Sequence, residues 1–178
     1  MSNRYRGTTL EGNAVEVEVD EERIVAVEEI AADGALPLIA PPLVDLQHNG
    51  AKHLAFNRVH EAPETLETVA RHALRHGVAR LLATITTQAY EDSLESLRAI
   101  DEQLQADPFL ARCYPGIFFE GNYMSAEYGW RGVHPEQFMR DPSWVQWEEL
   151  YKASGQRIVK FNIDPSRSGA MQTIRSAA

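Results

Sequence analysis

Glu120 is the side chain in this sequence best placed to do chemistry. It directly follows the apolar run Ile117, Phe118 and Phe119 and precedes Gly121, so a buried strand is expected to deliver a carboxylate into a turn. Such a carboxylate is costly to desolvate unless a cation or hydrogen-bond donors meet it. Parallel α/β proteins build their sites at the carboxyl ends of strands. Glu120 is therefore a candidate site residue, and the alternative is an acid that faces water or caps the next helix.

A second set of candidate polar residues lies in the stretch DLQHNG, residues 45–50. Side chains two positions apart on a strand point the same way, so Gln47 and Asn49 are expected to face the site while His48 points elsewhere. Amide oxygens are weak metal ligands compared with imidazole, so this pair would orient a water or a substrate better than it would hold zinc alone. His134 closes the loop that begins at Glu120, and we expect it to be a site histidine rather than a structural one.

The composition excludes several functional classes. The 178 residues are 44% hydrophobic and 24% charged, which is ordinary for a globular domain with one core. A net charge of −9 without a basic cluster argues against a nucleic-acid partner. No stretch has the ~20 apolar residues of a membrane span and the N-terminus has no apolar signal-peptide core, so we expect no membrane partner and a cytoplasmic location. The single cysteine, Cys113, excludes an intrachain disulfide and is expected to be buried.

Sequence motifs of other site types are missing. The chain contains no GxGxxG, GxxxxGK[ST], GxSxG or CxxC pattern. Dinucleotide, P-loop, serine-hydrolase and zinc-finger interpretations therefore have no support.

The pattern of elements that must position these residues changes near residue 38. Residues 1–37 show period-two alternation over 14–19 and a second short apolar run over 22–27, which predicts a small β segment. From residue 38 onward strands alternate with helices, the pattern of a parallel sheet or barrel. Strands are expected over 38–46, 78–84, 114–119 and 157–163, and helices are expected to begin at Pro63, at Asp92 through a capping-box-like start, at Ser143 and near Ser168.

Four such βα units are half of the eight that close a barrel. The predicted fold class is α/β, a partial (β/α)8 TIM-like barrel of about four βα units preceded by a small β segment. A small open sheet is the alternative. The last helix has no C-terminal stop signal, which favours a fragment of a longer protein.

Three stretches together resemble the N-acetylglucosamine-6-phosphate deacetylases of the amidohydrolase superfamily. The stretch LIAPPLVDLQHNGAKHLAFN is similar to their first barrel strand, HGVARLLATITT is similar to their second, and GIFFEGNYMSAEYGWRGVHPEQF resembles their GIHLEGPF…KGAHP segment. The three stretches span residues 38–140 in the family's order. This sequence departs from the family pattern at four positions: Pro42, Phe118, Asn122 and Tyr123.

The resemblance implies the N-terminal part of a metal-dependent hydrolase that removes the acetyl group of an N-acetyl amino-sugar phosphate. It implies that residues 1–37 are part of a β-sandwich and residues 38–178 the N-terminal half of the barrel. It places Glu120 at the family's metal-binding glutamate, Val133 and His134 at the substrate-binding pair, and Gln47 and Asn49 where other superfamily members carry a His-x-His pair. The implied cofactor is a divalent metal, zinc or iron.

The resemblance also implies which functional residues are not in this chain. The family's two later metal histidines and its catalytic aspartate belong to strands beyond residue 178, so no catalytic residue is assigned here. The small-molecule partner would be an amino-sugar phosphate, and an unpaired last strand would favour aggregation or a homodimer. A truncated or diverged non-catalytic homologue that binds a sugar phosphate or a partner is the alternative.

Overall fold

The chain folds into two compact units. The computed structural model describes residues 2–32 and 34–177. One unit runs up to Pro42 and the other starts at Leu43.

The first unit is a three-stranded antiparallel sheet. Its strands are β1 (Asn3–Thr8), β2 (Ala14–Asp20) and β3 (Arg23–Glu29), in the order β1-β2-β3. The alternation in β2 buries Val15 and Val17 and turns Glu16 and Glu18 towards arginines of β1. The two strands predicted over 14–19 and 22–27 are confirmed as β2 and β3.

The second unit begins with strand β4 (Leu43–His48), the two-residue strands β5 (Gly50–Ala51) and β6 (Leu54–Ala55), and a 3-10 turn over Phe56–Arg58. It continues with helix α1 (Thr65–Leu74), strand β7 (Val78–Ile85), helices α2 (Tyr90–Ala106) and α3 (Pro108–Cys113), and strand β8 (Gly116–Phe119). The unit ends with a 3-10 turn over Glu136–Phe138, helix α4 (Trp144–Ala153), strand β9 (Ile158–Phe161) and helix α5 (Ala170–Ala177).

The four longer strands of this unit form one parallel sheet in the order β4-β7-β8-β9, and β5 pairs with β6. The alternation of strands with helices is confirmed, and the fold is mixed α/β with a parallel sheet. Among the described residues the sheet is open, and no closed barrel is formed.

The core lies between this sheet and its helices. Successive side chains of a strand point to opposite faces, and alternate residues of β7 and β8 join the core: Leu81, Ala83, Ile85, Ile117 and Phe119. Helices α1, α2 and α4 contribute the facing side chains, including Leu66, Val69, Leu97, Ile100, Trp147 and Leu150. Cys113 is buried in the same core, as predicted.

Phe118 belongs to the opposite face of β8 and is also buried. The ammonium nitrogen of Lys160 in β9 lies 3.9 Å from the centre of its ring. This cation–π contact covers one face of the aromatic ring.

Several predicted starts are wrong. Helix α1 begins at Thr65 rather than at Pro63, and strand β8 begins at Gly116 rather than at residue 114. Strand β4 begins at Leu43 rather than at residue 38, because Pro41 and Pro42 have no N–H to donate to a ladder. Helix α2 begins at Tyr90 and not at Asp92, so the capping-box pattern marks its first turn and not its start. The short helix α3 was not predicted, although Asp107 caps it by accepting a 2.8 Å hydrogen bond from the N–H of Phe109.

No helix within residues 2–32 and 34–177 has both the length and the apolar character needed to cross a membrane.

Candidate functional site at the carboxyl edge of the parallel sheet

The carboxyl ends of β4, β7 and β8 surround a small cavity. Parallel strands place these ends at one edge of the sheet, which is where polar residues of separate strands can meet. The cavity has a volume of about 180 Å³. It is lined by Gln47, Asn49, Thr86, Thr87, Glu120, Val133, His134 and Pro135. All five residues singled out from the sequence thus lie around one space.

Glu120 is held at the end of β8 by its backbone and by its side chain. The carbonyl oxygen of Ile85 in β7 accepts hydrogen bonds from the N–H of Glu120 at 3.0 Å and of Gly121 at 3.3 Å. Oε1 of Glu120 accepts a 2.9 Å hydrogen bond from Nε2 of Gln47. The side chain of Glu120 is only 13% exposed. The carboxylate is therefore largely withdrawn from water and oriented by an amide from a different strand.

His134 returns to this edge at the end of the loop that follows β8. Its Nε2 lies 3.9 Å from Oε1 of Glu120, and its side chain is 11% exposed. On the other side of the ring, Nδ1 lies 2.9 Å from the hydroxyl of Thr87. The imidazole is thus held between a carboxylate and a hydroxyl. The neighbouring Val133 lines the cavity but is 99% exposed, which places it at the rim.

The residues of DLQHNG separate as their spacing indicates. Gln47 reaches Glu120, and Asn49 lines both this cavity and a larger neighbouring one of about 790 Å³. His48 instead accepts a 3.1 Å hydrogen bond from the N–H of Gly50 and packs edge-on against Phe56. His48 therefore has a structural contact away from the cavity.

Thr86 and Thr87 are lining residues that were not singled out from the sequence. Oδ1 of Asn57 accepts hydrogen bonds from the N–H and the hydroxyl of Thr86, at 3.0 and 3.1 Å, and its Nδ2 donates to Thr86 O and to Gln88 Oε1. Asn57 therefore fixes the loop after β7. The polar run that ends this strand, TTQ at 86–88, was the available signal, because the same strand-end rule applies to it.

Asn122 has a structural role just beyond Glu120. It is 1% exposed, and its Nδ2 donates 2.7 Å hydrogen bonds to the carbonyl oxygens of Gln88 and Phe138. The side chain thus joins the loop after β7 to the loop after β8.

The described residues do not form a complete metal centre. Across residues 2–32 and 34–177, no group of three or more His, Cys, Asp or Glu side chains is arranged to hold a metal ion. Catalytic zinc sites need about three protein ligands. The cavity presents one anionic carboxylate, one imidazole and two amides. These groups could supply some, but not all, of the ligands of such a site.

Comparison with known proteins finds amino-sugar-phosphate deacetylases. No protein-family model matches the chain. The N-acetylgalactosamine-6-phosphate deacetylase of Escherichia coli O157:H7 is 27% identical over 139 residues, which are 78% of this chain and 35% of that protein.

Solved structures show the same likeness in the fold. A variant of the Mycobacterium smegmatis N-acetyl-D-glucosamine-6-phosphate deacetylase, in complex with N-acetyl-D-glucosamine-6-phosphate, matches with a TM-score of 0.79 and 23% identity over 97% of this chain and 46% of its own. The Pasteurella multocida N-acetylglucosamine-6-phosphate deacetylase matches with a TM-score of 0.75 and 21% identity over 98% of this chain and 48% of its own. The chain thus spans about half the length of these solved proteins. The resemblance expected from the sequence is confirmed: the chain is similar, over most of its length, to part of the amino-sugar-phosphate deacetylases.

Proposed function

We propose that this chain supplies part of the metal and substrate site of a deacetylase that hydrolyses the acetamide of an N-acetyl amino-sugar phosphate. The observation that carries the proposal is the cavity at the carboxyl edge of the sheet. Glu120, Gln47, Asn49, Val133 and His134 come from separate strand ends and a long loop, yet all of them line it. The similarity to deacetylases of this kind supports the same reaction class.

Glu120 is proposed as one ligand of a divalent metal, zinc or iron. Such a metal, when bound, lowers the pKa of a coordinated water and polarises the amide carbonyl. Gln47 holds the carboxylate by donating to Oε1, which leaves Oε2 for the cation. The low exposure of Glu120 strengthens its attraction for a cation, because little water screens the charge.

Val133 and His134 are proposed as substrate contacts, with Gln47 and Asn49 lining the site. His134 is held at Nδ1 by Thr87 and faces Glu120 at Nε2, and its ring is therefore preorganised to meet a polar group of a sugar. Val133 at the rim offers an apolar surface to the same ligand. The exact sugar is left open by this proposal, because glucosamine and galactosamine differ only in the direction of one hydroxyl.

The remaining metal ligands and the catalytic acid and base are proposed to lie outside the described residues. In this proposal residues 38–178 are the N-terminal half of a (β/α)8 barrel, and residues 1–37 are part of a β-sandwich. The four parallel strands lie side by side in chain order, which supports this proposal. A (β/α)8 barrel has eight parallel strands arranged in the same way. A cytoplasmic location and a homodimer belong to the same proposal; the single cysteine fits a reducing compartment.

Calorimetric titration with Zn²⁺ and Fe²⁺, on a longer polypeptide that contains this chain and supplies the remaining ligands, tests the role of Glu120. Glu120→Gln should weaken binding at least ~10-fold, whereas Glu127→Gln should leave it unchanged, because Glu127 is an exposed acid of the same loop. Equal affinities of the Glu120 variant and the unmodified chain would refute the assignment.

Deacetylation tests the activity itself. N-acetylglucosamine 6-phosphate and N-acetylgalactosamine 6-phosphate should be assayed with metal, on this chain and on any longer polypeptide that contains it. Acetate release that Glu120→Gln abolishes supports the proposal. Sugar-phosphate binding without acetate release from any version would instead identify a non-catalytic homologue.

A further inference from the structure

Thr87 makes two polar contacts from one buried hydroxyl. The residue follows β7 and is 5% exposed. Its Oγ1 lies 3.0 Å from the carbonyl oxygen of Gly121 and 2.9 Å from Nδ1 of His134. The hydroxyl therefore joins the residue after Glu120 to the histidine that faces Glu120.

The number of hydrogens decides which group donates. A hydroxyl has one hydrogen to donate and two lone pairs that accept. A carbonyl oxygen only accepts, so the hydroxyl hydrogen of Thr87 belongs to Gly121, and the contact with His134 must then be donated by Nδ1. If Thr87 donated to His134 instead, the buried carbonyl of Gly121 would lose this hydrogen bond, at a cost of about 1–3 kcal/mol.

The opposite side of the ring faces the carboxylate of Glu120 without a hydrogen bond to it. Nε2 of His134 lies 3.9 Å from Oε1 of Glu120, which is beyond hydrogen-bonding distance. The same Oε1 already accepts from Gln47 at 2.9 Å. A neutral His134 with its hydrogen on Nε2 would therefore lose the bond to Thr87 and gain only the weaker, longer-range attraction of the Glu120 carboxylate.

We propose that Thr87 is a positioning residue: its hydroxyl fixes neutral His134 with the hydrogen on Nδ1, so that Nε2 presents a lone pair to the cavity. The ligand group that meets His134 is then a donor, a hydroxyl or an amide N–H, and not a carbonyl or phosphate oxygen. This last step rests on the proposed function, in which the ligand is an N-acetyl amino sugar with both kinds of donor. The state of the imidazole itself does not depend on any ligand.

Two neighbouring threonines allow a matched test. Thr87→Val removes the hydroxyl at nearly constant shape, and Thr87→Ser keeps it. Thr86→Val is the control, because the hydroxyl of Thr86 contacts Asn57 and not His134. All variants retain the histidine, Glu120 and Gln47.

The measurement is long-range ¹H–¹⁵N NMR of the histidine-labelled chain without metal or sugar, at a pH where His134 is neutral. The nitrogen shifts report which ring nitrogen carries the hydrogen, and a His134→Gln sample assigns the signals. We expect Nδ1–H in the unmodified chain, in Thr87→Ser and in Thr86→Val, and loss of this preference in Thr87→Val. Nε2–H in the unmodified chain, or unchanged Nδ1–H in folded Thr87→Val, would overturn the proposal.

The outcome stays decisive if Thr87→Val does not fold, because Nε2–H in the unmodified chain or in Thr87→Ser is sufficient to overturn it. Failure of the proposed function is separate. Nδ1–H in this chain, together with a longer polypeptide containing it that binds neither metal nor sugar phosphate, would refute that function and leave the role of Thr87 standing.

Discussion

Gln47 and Glu120 are joined by a 2.9 Å hydrogen bond although the end of β7 lies between their strands. Adjacent strands lie ~4.8 Å apart, so next-nearest strands in a flat sheet are about twice that distance apart. The contact therefore shows that the side chains at this edge converge towards one point. The convergence is what turns three strand ends into a cavity.

Replacing Gln47 by Leu should lower the affinity for a divalent metal by roughly 10–100-fold, the effect expected when an outer partner of a metal ligand is lost. The physical reason is that Glu120 would keep its charge but lose the donor that orients it. Calorimetric titration of a longer polypeptide that contains this chain measures the change. Gln137→Leu, at an exposed position in the Glu136–Phe138 turn, is the control and should bind as the unmodified chain does.

Tyr114→Phe and Tyr123→Phe should change the free energy of unfolding in different directions. The hydroxyl of Tyr114 donates a 2.8 Å hydrogen bond to the carbonyl oxygen of Leu66, so its removal should cost about 0.5–1.5 kcal/mol. The hydroxyl of Tyr123 is buried without a hydrogen-bond partner among the described residues, so its removal should cost nothing or stabilise the fold. Urea unfolding followed by circular dichroism compares them. A larger loss for Tyr123→Phe than for Tyr114→Phe would contradict this explanation.

Stability should fall at alkaline pH. Burial raises the pKa of Tyr123 to about 12 and raises the pKa of Tyr114 as well. The folded state then keeps these hydrogens above the unfolded tyrosine pKa of about 10, where the unfolded chain releases them. The free energy of unfolding should therefore be unaffected below about pH 10. Above that pH it should fall by about 1.4 kcal/mol per pH unit for each such tyrosine, until the pH reaches the pKa of that tyrosine in the folded state. Unfolding at several pH values should show this slope, reduced in each Phe variant; identical slopes would refute it.

Gly155→Ala should destabilise the protein more than Gly132→Ala. Both glycines have a positive φ, 59° and 57°, so alanine costs a similar ~1–3 kcal/mol of backbone strain at each. A Cβ at Gly155 would also collide with the carboxylate of Asp101, whereas nothing lies within 4 Å at Gly132. Asp101 pairs with Arg157 at 2.7 Å, so moving it disturbs a second contact. Thermal unfolding of both variants measures the extra loss of stability that the collision causes at Gly155. Equal losses of stability in the two variants would show that Asp101 moves aside without cost.

The edge strand β4 should cause self-association. It has a single neighbour in the sheet, and its Leu43, Val44 and Leu46 are largely exposed. Exposed apolar edges of this kind pair with other chains. Sedimentation should show concentration-dependent association that Leu46→Lys weakens. Val145→Lys, at an exposed apolar position in helix α4 rather than on a strand edge, should not weaken it. A monodisperse monomer at all concentrations would contradict the prediction.

The sequence predicted the elements whose patterns are long and periodic. The sequence pattern predicted the alternation of β2, the apolar run of β7 and the start of α4 after Ser143. These patterns arise because one face of each element is buried. The six-residue helix α3 was missed because its signal is a single cap and a proline, too short for any period to show. The start of β4 was missed because the apolar run continued across two prolines.

The residues of the site could be predicted only in part, for a different reason. The strand-end rule singles out Gln47 and Glu120, and their roles as site residues remain predictions. The meeting of His134 with Thr87 depends on the path of the loop after Glu120, which no local pattern specifies. The loop of Thr86 depends on Asn57, 29 positions earlier in the chain. Such long-range contacts carry no signal in a single sequence.

The order β4-β7-β8-β9 repeats the order in which these strands occur in the chain. Each new strand can dock beside its predecessor as soon as it leaves the ribosome, since no pairing has to wait for a later segment. Synthesis and assembly can thus advance together, which limits the time that apolar segments spend unprotected during translation.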